Sequence, residues 1–238
     1  MEKDIKMVMF DLDGTLLPMD MDVFTNGYFK LLAAKAAPRG YELTSLVKGI
    51  WHGTAAMVRN DGSCTNEEAF WKDFTATFGV EALQDRPLFE EFYAKEFQQA
   101  RSLCGYEPKA AAIVDWIKEQ GTRVGLATNP LFPAVATESR IRWAGLEPET
   151  FEFYTTYENI GYCKPNPDYY REILKRVGLA PEACVMVGND VTEDMVGLTL
   201  GMDVFLLTDC MINKNNEDIE QYPHGSFDDL KVYLQSIL

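Results

Sequence analysis

Two carboxylates separated by one residue follow the first apolar run of the chain. The run Val8–Phe10 leads into Asp11 and Asp13, and Gly14 then permits a sharp turn. Side chains alternate between the faces of a strand, so both carboxylates would converge on one small ligand at its carboxyl end. Neighbouring carboxylates repel each other unless a cation lies between them or one is protonated. The pair therefore indicates a site for Mg²⁺, which prefers oxygen ligands, although Asp and Gly are also typical of a polar turn.

Three later segments carry groups that could act on a small anion. Thr128 and Asn129 follow a second apolar run, Lys164 precedes a proline, and Asp190 and Asp194 follow a third run. Each has an ordinary explanation when taken alone: a helix cap, a solvated lysine, or acidic residues at the start of a helix. Their joint occurrence after separate apolar runs favours a single site.

The apolar runs predict the elements that would bring these groups together. Strands alternating with helices are typical of an α/β fold with a doubly wound, Rossmann-like parallel sheet. Ligands of such sheets bind beyond the carboxyl ends of the strands, where Asp11, Thr128 and Asp190 would meet. The predicted strands are Lys6–Phe10, Arg123–Thr128, Phe151–Thr155, Ala183–Val187 and Asp203–Leu207. The predicted helices between the later strands are Ala134–Ala144, Asp168–Val177 and Asp194–Leu200.

A long insertion separates the first two predicted strands, from about Asp20 to about Gly105. It is far longer than the loops of about 2–6 residues that are usual in such folds. Four apolar stripes with helical spacing predict four amphipathic helices that bury their stripes against one another. The stripes are Phe24, Tyr28, Leu31 and Leu32; Leu43, Leu46, Val47, Ile50 and Trp51; Phe70, Phe74 and Phe78; and Phe89, Phe92, Tyr93 and Phe97.

Composition limits the classes of partner. The 238 residues carry a net charge of −15, which argues against nucleic acid or an anionic membrane as the main partner. No run is long enough for a transmembrane helix, and Met1–Lys6 has no apolar core of the kind usual in a signal peptide. The five cysteines are scattered without a Cys-x-x-Cys pair, which predicts free thiols and a cytoplasmic location.

The four polar segments, in this order, resemble the four motifs of the haloacid dehalogenase (HAD) superfamily. They are Asp11–Thr15, Leu126–Pro130, Lys164 and Val187–Asp194. One motif alone would be a weak signal, but four in order are a strong one. The resemblance implies a HAD core domain formed by residues 1–20 and 105–238. It also implies an inserted α-helical cap domain, of the C1 type, formed by residues 21–104.

The resemblance also implies a role for each motif residue. Asp11 would be the nucleophile and form an aspartyl-phosphate, and Asp13 would protonate the leaving oxygen and later deprotonate water. Mg²⁺ and Lys164 would neutralise the charge of the phosphate. Thr128 and the backbone N–H of Asn129 would hold phosphate oxygens, because both can donate hydrogen bonds.

The metal ligands implied by the resemblance are Asp11, the backbone carbonyl of Asp13, and Asp190. Asp194 lies about one helical turn beyond Asp190 and could orient metal-bound water or Lys164. The fourth motif departs from the usual pattern, because Asn189 stands between the glycine and Asp190. Asn189 is therefore an alternative to Asp190 as the ligand.

Asp13 distinguishes among the reactions of the superfamily. Members that cleave carbon–halogen bonds lack an acid at this position, and members that cleave phosphonates usually have a small residue there. The resemblance therefore implies a Mg²⁺-dependent phosphatase that acts on a small phosphorylated metabolite. A sugar-phosphate phosphomutase is the alternative, followed by a phosphonate hydrolase or a non-enzymatic phospho-acceptor module. Residues 27–30 and 51–54 of the insertion are candidate specificity segments.

Overall fold

A parallel sheet forms the centre of the protein. The computed structural model describes residues 4–238, and within them the sheet has five strands in the order β2-β1-β3-β4-β5. All neighbouring strands are parallel. The strands are β1 (Met7–Phe10), β2 (Arg123–Leu126), β3 (Cys184–Gly188), β4 (Asp203–Leu207) and β5 (His224–Gly225). The predicted α/β, Rossmann-like sheet is confirmed.

Two parts of the sheet differ from the prediction. The segment Phe151–Thr155 lies beside β2, but it is not a strand. The backbone N–H of Leu126 donates to the Phe153 carbonyl over 2.9 Å, and Thr155 donates back to Leu126 over 3.1 Å. These bonds form only an isolated bridge between Leu126 and Tyr154, so the segment extends the edge without joining the ladder. The two-residue strand β5 was not predicted, because two residues show no periodicity.

Eight α-helices lie within residues 4–238. The first four, α1 to α4, stand between β1 and β2 and contain the predicted stripes, except that Phe97 of the fourth stripe lies in a 3₁₀ helix, Glu96–Leu103. The predicted helix Asp194–Leu200 is a 3₁₀ helix, Met195–Leu200. The helices are α1 (Met21–Ala36), α2 (Leu43–Val58), α3 (Asn66–Phe78), α4 (Arg86–Ala94), α5 (Pro108–Glu119), α6 (Ala134–Trp143), α7 (Pro167–Val177) and α8 (Phe227–Gln235).

Apolar side chains cover both faces of the sheet. Met7 and Met9 of β1 are buried on one face in a cluster that includes Tyr169 of α7. Val8 and Phe10 point to the other face and join the larger apolar cluster. A sheet covered on both faces requires apolar residues throughout its strands, so polar side chains collect where the strands end.

The helical insertion has its own aromatic interior. Phe74 packs against Phe78, with ring centroids 4.6 Å apart, and against Phe89 at 5.7 Å. Leu43 and Trp51 were predicted to share this interior, but each is 51% exposed. Trp51 instead borders a cavity between the insertion and the loop after β2.

The connection between α2 and α3 is hydrogen-bonded to the loop between α6 and α7. The N–H of Gly62 donates to the Gly161 carbonyl over 3.0 Å, and the N–H of Asn66 donates to Ile160 over 3.0 Å. The Asn66 side chain also donates to the Tyr162 carbonyl over 3.3 Å. These bonds join the insertion to the loop that leads to Lys164.

Other sequence expectations concern membranes and thiols. No helix within residues 4–238 is both long and apolar enough to cross a bilayer. The expectation about the N-terminal segment falls partly on residues 1–3, which lie outside the described residues. All five cysteines are unpaired.

Candidate active site

A buried lysine lies between two carboxylates at the ends of β1 and β3. Lys164 Nζ is 2.8 Å from Asp11 Oδ1 and 2.6 Å from Asp194 Oδ1. Burial lowers the pKa of Lys164, but the negative charges of Asp11 and Asp194 raise it by more. The pKa of Lys164 therefore lies well above its usual value. Lys164 is therefore a fixed cation beside Asp11.

The backbone places Asp11 at the end of the central strand. Its N–H donates to the Val187 carbonyl of β3 over 2.9 Å, which continues the strand pairing by one residue. Gly14 then turns the chain with φ of +85°, and a Cβ at this position would lie 2.3 Å from Asn189 Nδ2. Glycine is required here both for the backbone conformation and for the close approach of Asn189.

The hydroxyl group of Thr15 lies between the side chains of Asn189 and Asp11. Thr15 Oγ1 donates to Asn189 Oδ1 over 2.9 Å and lies 3.3 Å from Asp11 Oδ2. Asn189 Nδ2 donates to the Cys210 carbonyl over 2.7 Å, which fixes the orientation of the amide. The Asn189 oxygen therefore points toward the side of the site that holds Asp11.

Asp190 has a different environment from Asn189. Its Oδ1 accepts hydrogen bonds from the backbone N–H groups of Thr192, over 2.8 Å, and Glu193, over 3.0 Å. Its own N–H donates to Asp194 Oδ2 over 3.0 Å. One Asp190 oxygen thus stabilises the turn after β3, and Asp194 supports that turn while it pairs with Lys164.

Asp13 forms an ion pair that sequence reasoning missed. Its Oδ2 binds Arg140 Nη1 of α6, and the Arg140 side chain is 1% exposed. The guanidinium carbon lies 4.3 Å from the centroid of the Phe132 ring. Burial raises the pKa of Asp13, Arg140 opposes that rise, and Asp11 adds to it. Asp13 Oδ1 is buried and has no hydrogen-bond partner among the described residues.

Thr128 and Asn129 lie on a loop after β2 that is held by hydrogen bonds. The Thr128 carbonyl accepts hydrogen bonds from Thr155 Oγ1, over 2.6 Å, and from the Tyr169 hydroxyl, over 2.8 Å. Asn129 Nδ2 donates to Glu193 Oε2 over 2.8 Å. Burial raises the pKa of Glu193 to about 7. Glu193, like Arg140, was not predicted as a site residue.

One cleft of about 910 Å³ brings the motif residues together. Lys164 is buried behind the wall of the cleft, where it contacts Asp11. The walls contain many carboxylates, so the cleft attracts cations and would repel a phosphate that arrived alone. The predicted site residues in the walls are Asp11, Asp13, Thr128, Asn129, Asp190 and Asp194, together with Asn189.

Carboxylates alone do not form a metal cage in this cleft. Within residues 4–238, no group of three or more His, Cys, Asp or Glu side chains is arranged to hold a metal ion. Any cation site beside Asp11 would therefore include other oxygen donors. The amide oxygen of Asn189 is one such donor, because it lies across the Thr15 hydroxyl from Asp11.

Comparison with known proteins agrees with this fold. The chain is 27% identical over 225 residues to glyceraldehyde 3-phosphate phosphatase of Methanothermobacter thermautotrophicus, covering 91% of this chain and 92% of that protein. It is 26% identical over 219 residues to phosphoglycolate phosphatase of Shigella dysenteriae, covering 84% and 83%.

Solved structures share the fold at lower identity. The 2-haloacid dehalogenase of Pseudomonas syringae has a TM-score of 0.63 and 20% identity, covering 97% of this chain and 98% of that one. The HAD phosphatase of Thermococcus onnurineus has a TM-score of 0.57 and 18% identity, covering 98% and 99%. The sequence profile of the haloacid dehalogenase-like hydrolases matches residues 5–199. Because that match spans most of the chain, this protein is an enzyme of the haloacid dehalogenase-like hydrolase family.

Proposed function

We propose that this protein is a Mg²⁺-dependent phosphatase that hydrolyses a small phosphate monoester through a phosphorylated Asp11. The observation that carries the proposal is the position of Asp11, which lies 2.8 Å from a buried cation, Lys164, with Asp13 two residues on in the same cleft. The phosphatases to which the chain is similar support the reaction class. Acidic groups at both positions suit a nucleophile and a proton donor.

The first chemical step would use the two acidic residues. An Asp11 oxygen attacks phosphorus, the bond from phosphorus to the ester oxygen breaks, and Asp13 gives its proton to the departing alcohol. The raised pKa of Asp13 favours the protonated form that this step needs. Lys164 keeps a positive charge beside Asp11 while negative charge accumulates on the phosphoryl oxygens.

The second step would release phosphate. Asp13, now ionised, takes a proton from water, and that water attacks phosphorus and breaks its bond to Asp11. Thr128 and the backbone N–H of Asn129 would hold the phosphoryl oxygens through both steps. The Thr128 carbonyl is anchored by Thr155 and Tyr169, so these donors stay in place.

The oxygen donors beside Asp11 suit a hard cation such as Mg²⁺. We propose that Asp11, the Asp13 carbonyl and the Asn189 amide oxygen hold it, with Asn189 in place of Asp190. The hydrogen bonds of Asp190 to its own turn support this choice. Bound there, Mg²⁺ supplies positive charge that reduces repulsion between the phosphate and the acidic cleft.

We also propose that residues 21–104 act as a cap domain over a core domain formed by residues 1–20 and 105–238. Side chains of α1 and α2 share the cleft with Asp11, which supports this division. The unpaired cysteines support a reducing, cytoplasmic location.

The test of this proposal is phosphate release from a panel of esters that includes glyceraldehyde 3-phosphate and phosphoglycolate. We expect sustained release with Mg²⁺ and none after complete chelation. Asp11→Asn should lower kcat by at least about a thousandfold while the protein remains folded, because an amide is a poor nucleophile.

Asp190→Asn is the matched comparison, because its amide oxygen can still accept the hydrogen bonds of the turn. It should shift the Mg²⁺ concentration for half-maximal activity by less than about threefold, whereas Asn189→Ala should raise it by about tenfold or more. Turnover without metal, or near-full activity of Asp11→Asn, would contradict the mechanism. Net conversion of one sugar phosphate to its isomer would indicate the mutase, and a single phosphorylation without release would indicate the acceptor module.

A further inference from the structure

A second cavity, of about 510 Å³, lies between the helical insertion and residues 131–135 and 157–158, beside the acidic cleft. The two spaces share walls, so they adjoin. Small-molecule sites usually occupy about 300–1,000 Å³. The cavity is therefore large enough for the alcohol portion of an ester whose phosphate lies at Asp11. The shared walls are formed by Met21, Thr25, Phe29, Trp51, Leu131 and Phe132.

Aromatic rings dominate the lining of this cavity. Phe29 packs edge-on against Trp51, with ring centroids 5.6 Å apart, and Phe70, Trp71 and Phe89 form further walls. Trp51 is 51% exposed, although Ile50 beside it in α2 is buried. An indole left half in water gains free energy when an apolar group covers it. The junction between cavity and cleft thus favours an apolar occupant.

Most polar groups in the lining already have partners. The hydroxyls of Tyr28 and Tyr93 are hydrogen-bonded to each other at 2.8 Å. Thr54 Oγ1 donates to the Ile50 carbonyl over 2.9 Å. Among the described residues of the lining, Trp71 Nε1 and Arg86 Nε are the buried donors left without a partner. An occupant rich in hydroxyl groups would therefore lose more hydrogen bonds to water than these two donors replace.

The charges of the lining oppose an anionic occupant. Among the described residues of the wall, Arg86 is the only cation, and its Nη2 is bound to Glu67 Oε1 at 3.1 Å. Two more carboxylates, Glu90 and Glu158, line the same space. A carboxylate on the alcohol would enter a wall that is already net negative, and no free cation would balance it. Arg86 Nε has no hydrogen-bond partner and could donate to one neutral oxygen.

We propose that this cavity receives the leaving group of the substrate, and that the leaving group is a neutral, apolar alcohol that contains an aromatic ring. The proposal rests on the phosphatase function proposed above and narrows it. The substrate class is then a monophosphate ester whose only anionic group is the phosphate.

The first test compares the hydrolysis of three phosphate esters by the purified enzyme. Benzyl phosphate carries a neutral ring, 4-carboxybenzyl phosphate adds one carboxylate to that ring, and ethyl phosphate has no ring. We expect kcat/KM for benzyl phosphate to exceed both others by at least about tenfold. Equal values, or a preference for the carboxylate, would overturn the proposal.

The second test places a larger side chain in the cavity by substituting a residue of α2. Thr54→Phe should lower kcat/KM for benzyl phosphate by at least about tenfold and change that for ethyl phosphate by less than about threefold. Val58→Phe is the matched control, because Val58 lies one turn further along α2 and is exposed to solvent. Thr54→Leu is the milder filling if the thermal midpoint of Thr54→Phe shows that it does not fold. Parallel losses for both esters would contradict a leaving-group site.

The third test does not need turnover. Calorimetry should detect saturable binding of benzyl alcohol to Asp11→Asn, and Thr54→Phe in that background should abolish it. Absence of this binding while the esters are hydrolysed would overturn the cavity inference and leave the phosphatase intact. If none of the esters is hydrolysed, the proposed phosphatase function is wrong. The leaving-group assignment then fails with it, even if benzyl alcohol binds.

Discussion

The proton-transfer role proposed for Asp13 depends on a partner from a distant part of the chain. Burial favours the neutral acid, and Arg140 favours the carboxylate, so the two effects oppose each other at one side chain. A group that must first donate a proton and then accept one needs a pKa near the working pH. We therefore infer that Arg140 is a positioning residue that adjusts the pKa of Asp13 without contacting the substrate.

Arg140→Gln should move the acidic limb of the kcat profile to higher pH. Without the guanidinium, burial and the Asp11 charge would raise the pKa of Asp13 further, and water activation would need a higher pH. Arg140→Lys should restore part of the shift, because it returns the positive charge. Arg142→Gln is the control, since Arg142 lies on the same helix in an exposed ion pair with Glu147. A profile of Arg140→Gln that is lowered but not shifted would show that Arg140 has only a structural role.

Single residues of the site differ in how far the sequence could predict them. Asp11, Thr128 and Asp194 follow apolar runs, and the fold brings the ends of parallel strands together. Arg140 and Glu193 have no such signal, because charged residues on helices and turns are usually solvated. Their burial follows from the packing of α6 and of the turn after β3, which no local pattern records.

At the scale of the elements, Asn66 connects the insertion to the site. Its side chain is fully buried at the start of α3 and accepts a hydrogen bond from Asn60 over 2.9 Å. It donates to the Pro130 carbonyl over 3.3 Å, just after Asn129. With its bond to Tyr162, this one amide links α3 to the loops that hold Asn129 and Lys164.

Asn66→Ala should lower the free energy of unfolding by about 1–3 kcal/mol. The loss arises because buried carbonyl groups would lose their donor while remaining out of water. Urea unfolding would measure it, with Asn215→Ala as the control, because Asn215 is exposed. We expect the control to change stability by less than about 0.5 kcal/mol. Equal effects of the two substitutions would contradict the linking role of Asn66.

The elements also show where periodicity succeeds and where it fails. β1 and β3 are buried throughout, so their apolar runs predicted them well. Phe151–Thr155 is rich in aromatic residues that also favour strands, but it lies beyond β2 at the end of the sheet order and forms only one bridge. Trp51 fits an apolar stripe of α2, yet it borders a cavity, because spacing defines a face and not what covers that face.

At the scale of the whole molecule, the chain carries excess negative charge, and part of that charge is concentrated in the acidic cleft. The chain carries a net charge of −15, and the cleft collects carboxylates from several elements. Folding confines these charges, so protons or cations that bind them stabilise the folded state. Glu193 is one group that binds a proton more tightly in the folded state, because burial raises its pKa from 4.5 to about 7.

The chelated enzyme should lose stability as the pH rises from about 5 to 8. Glu193 binds its proton more tightly in the folded state, so its contribution is complete below pH 4.5 and disappears as the pH passes about 7. By linkage this contribution is at most about 3 kcal/mol. Glu193→Gln should flatten the dependence of the thermal midpoint on pH, because the amide does not titrate. The exposed Glu149→Gln should follow the unsubstituted protein, and an equally steep curve for Glu193→Gln would exclude Glu193 as a source of the pH dependence.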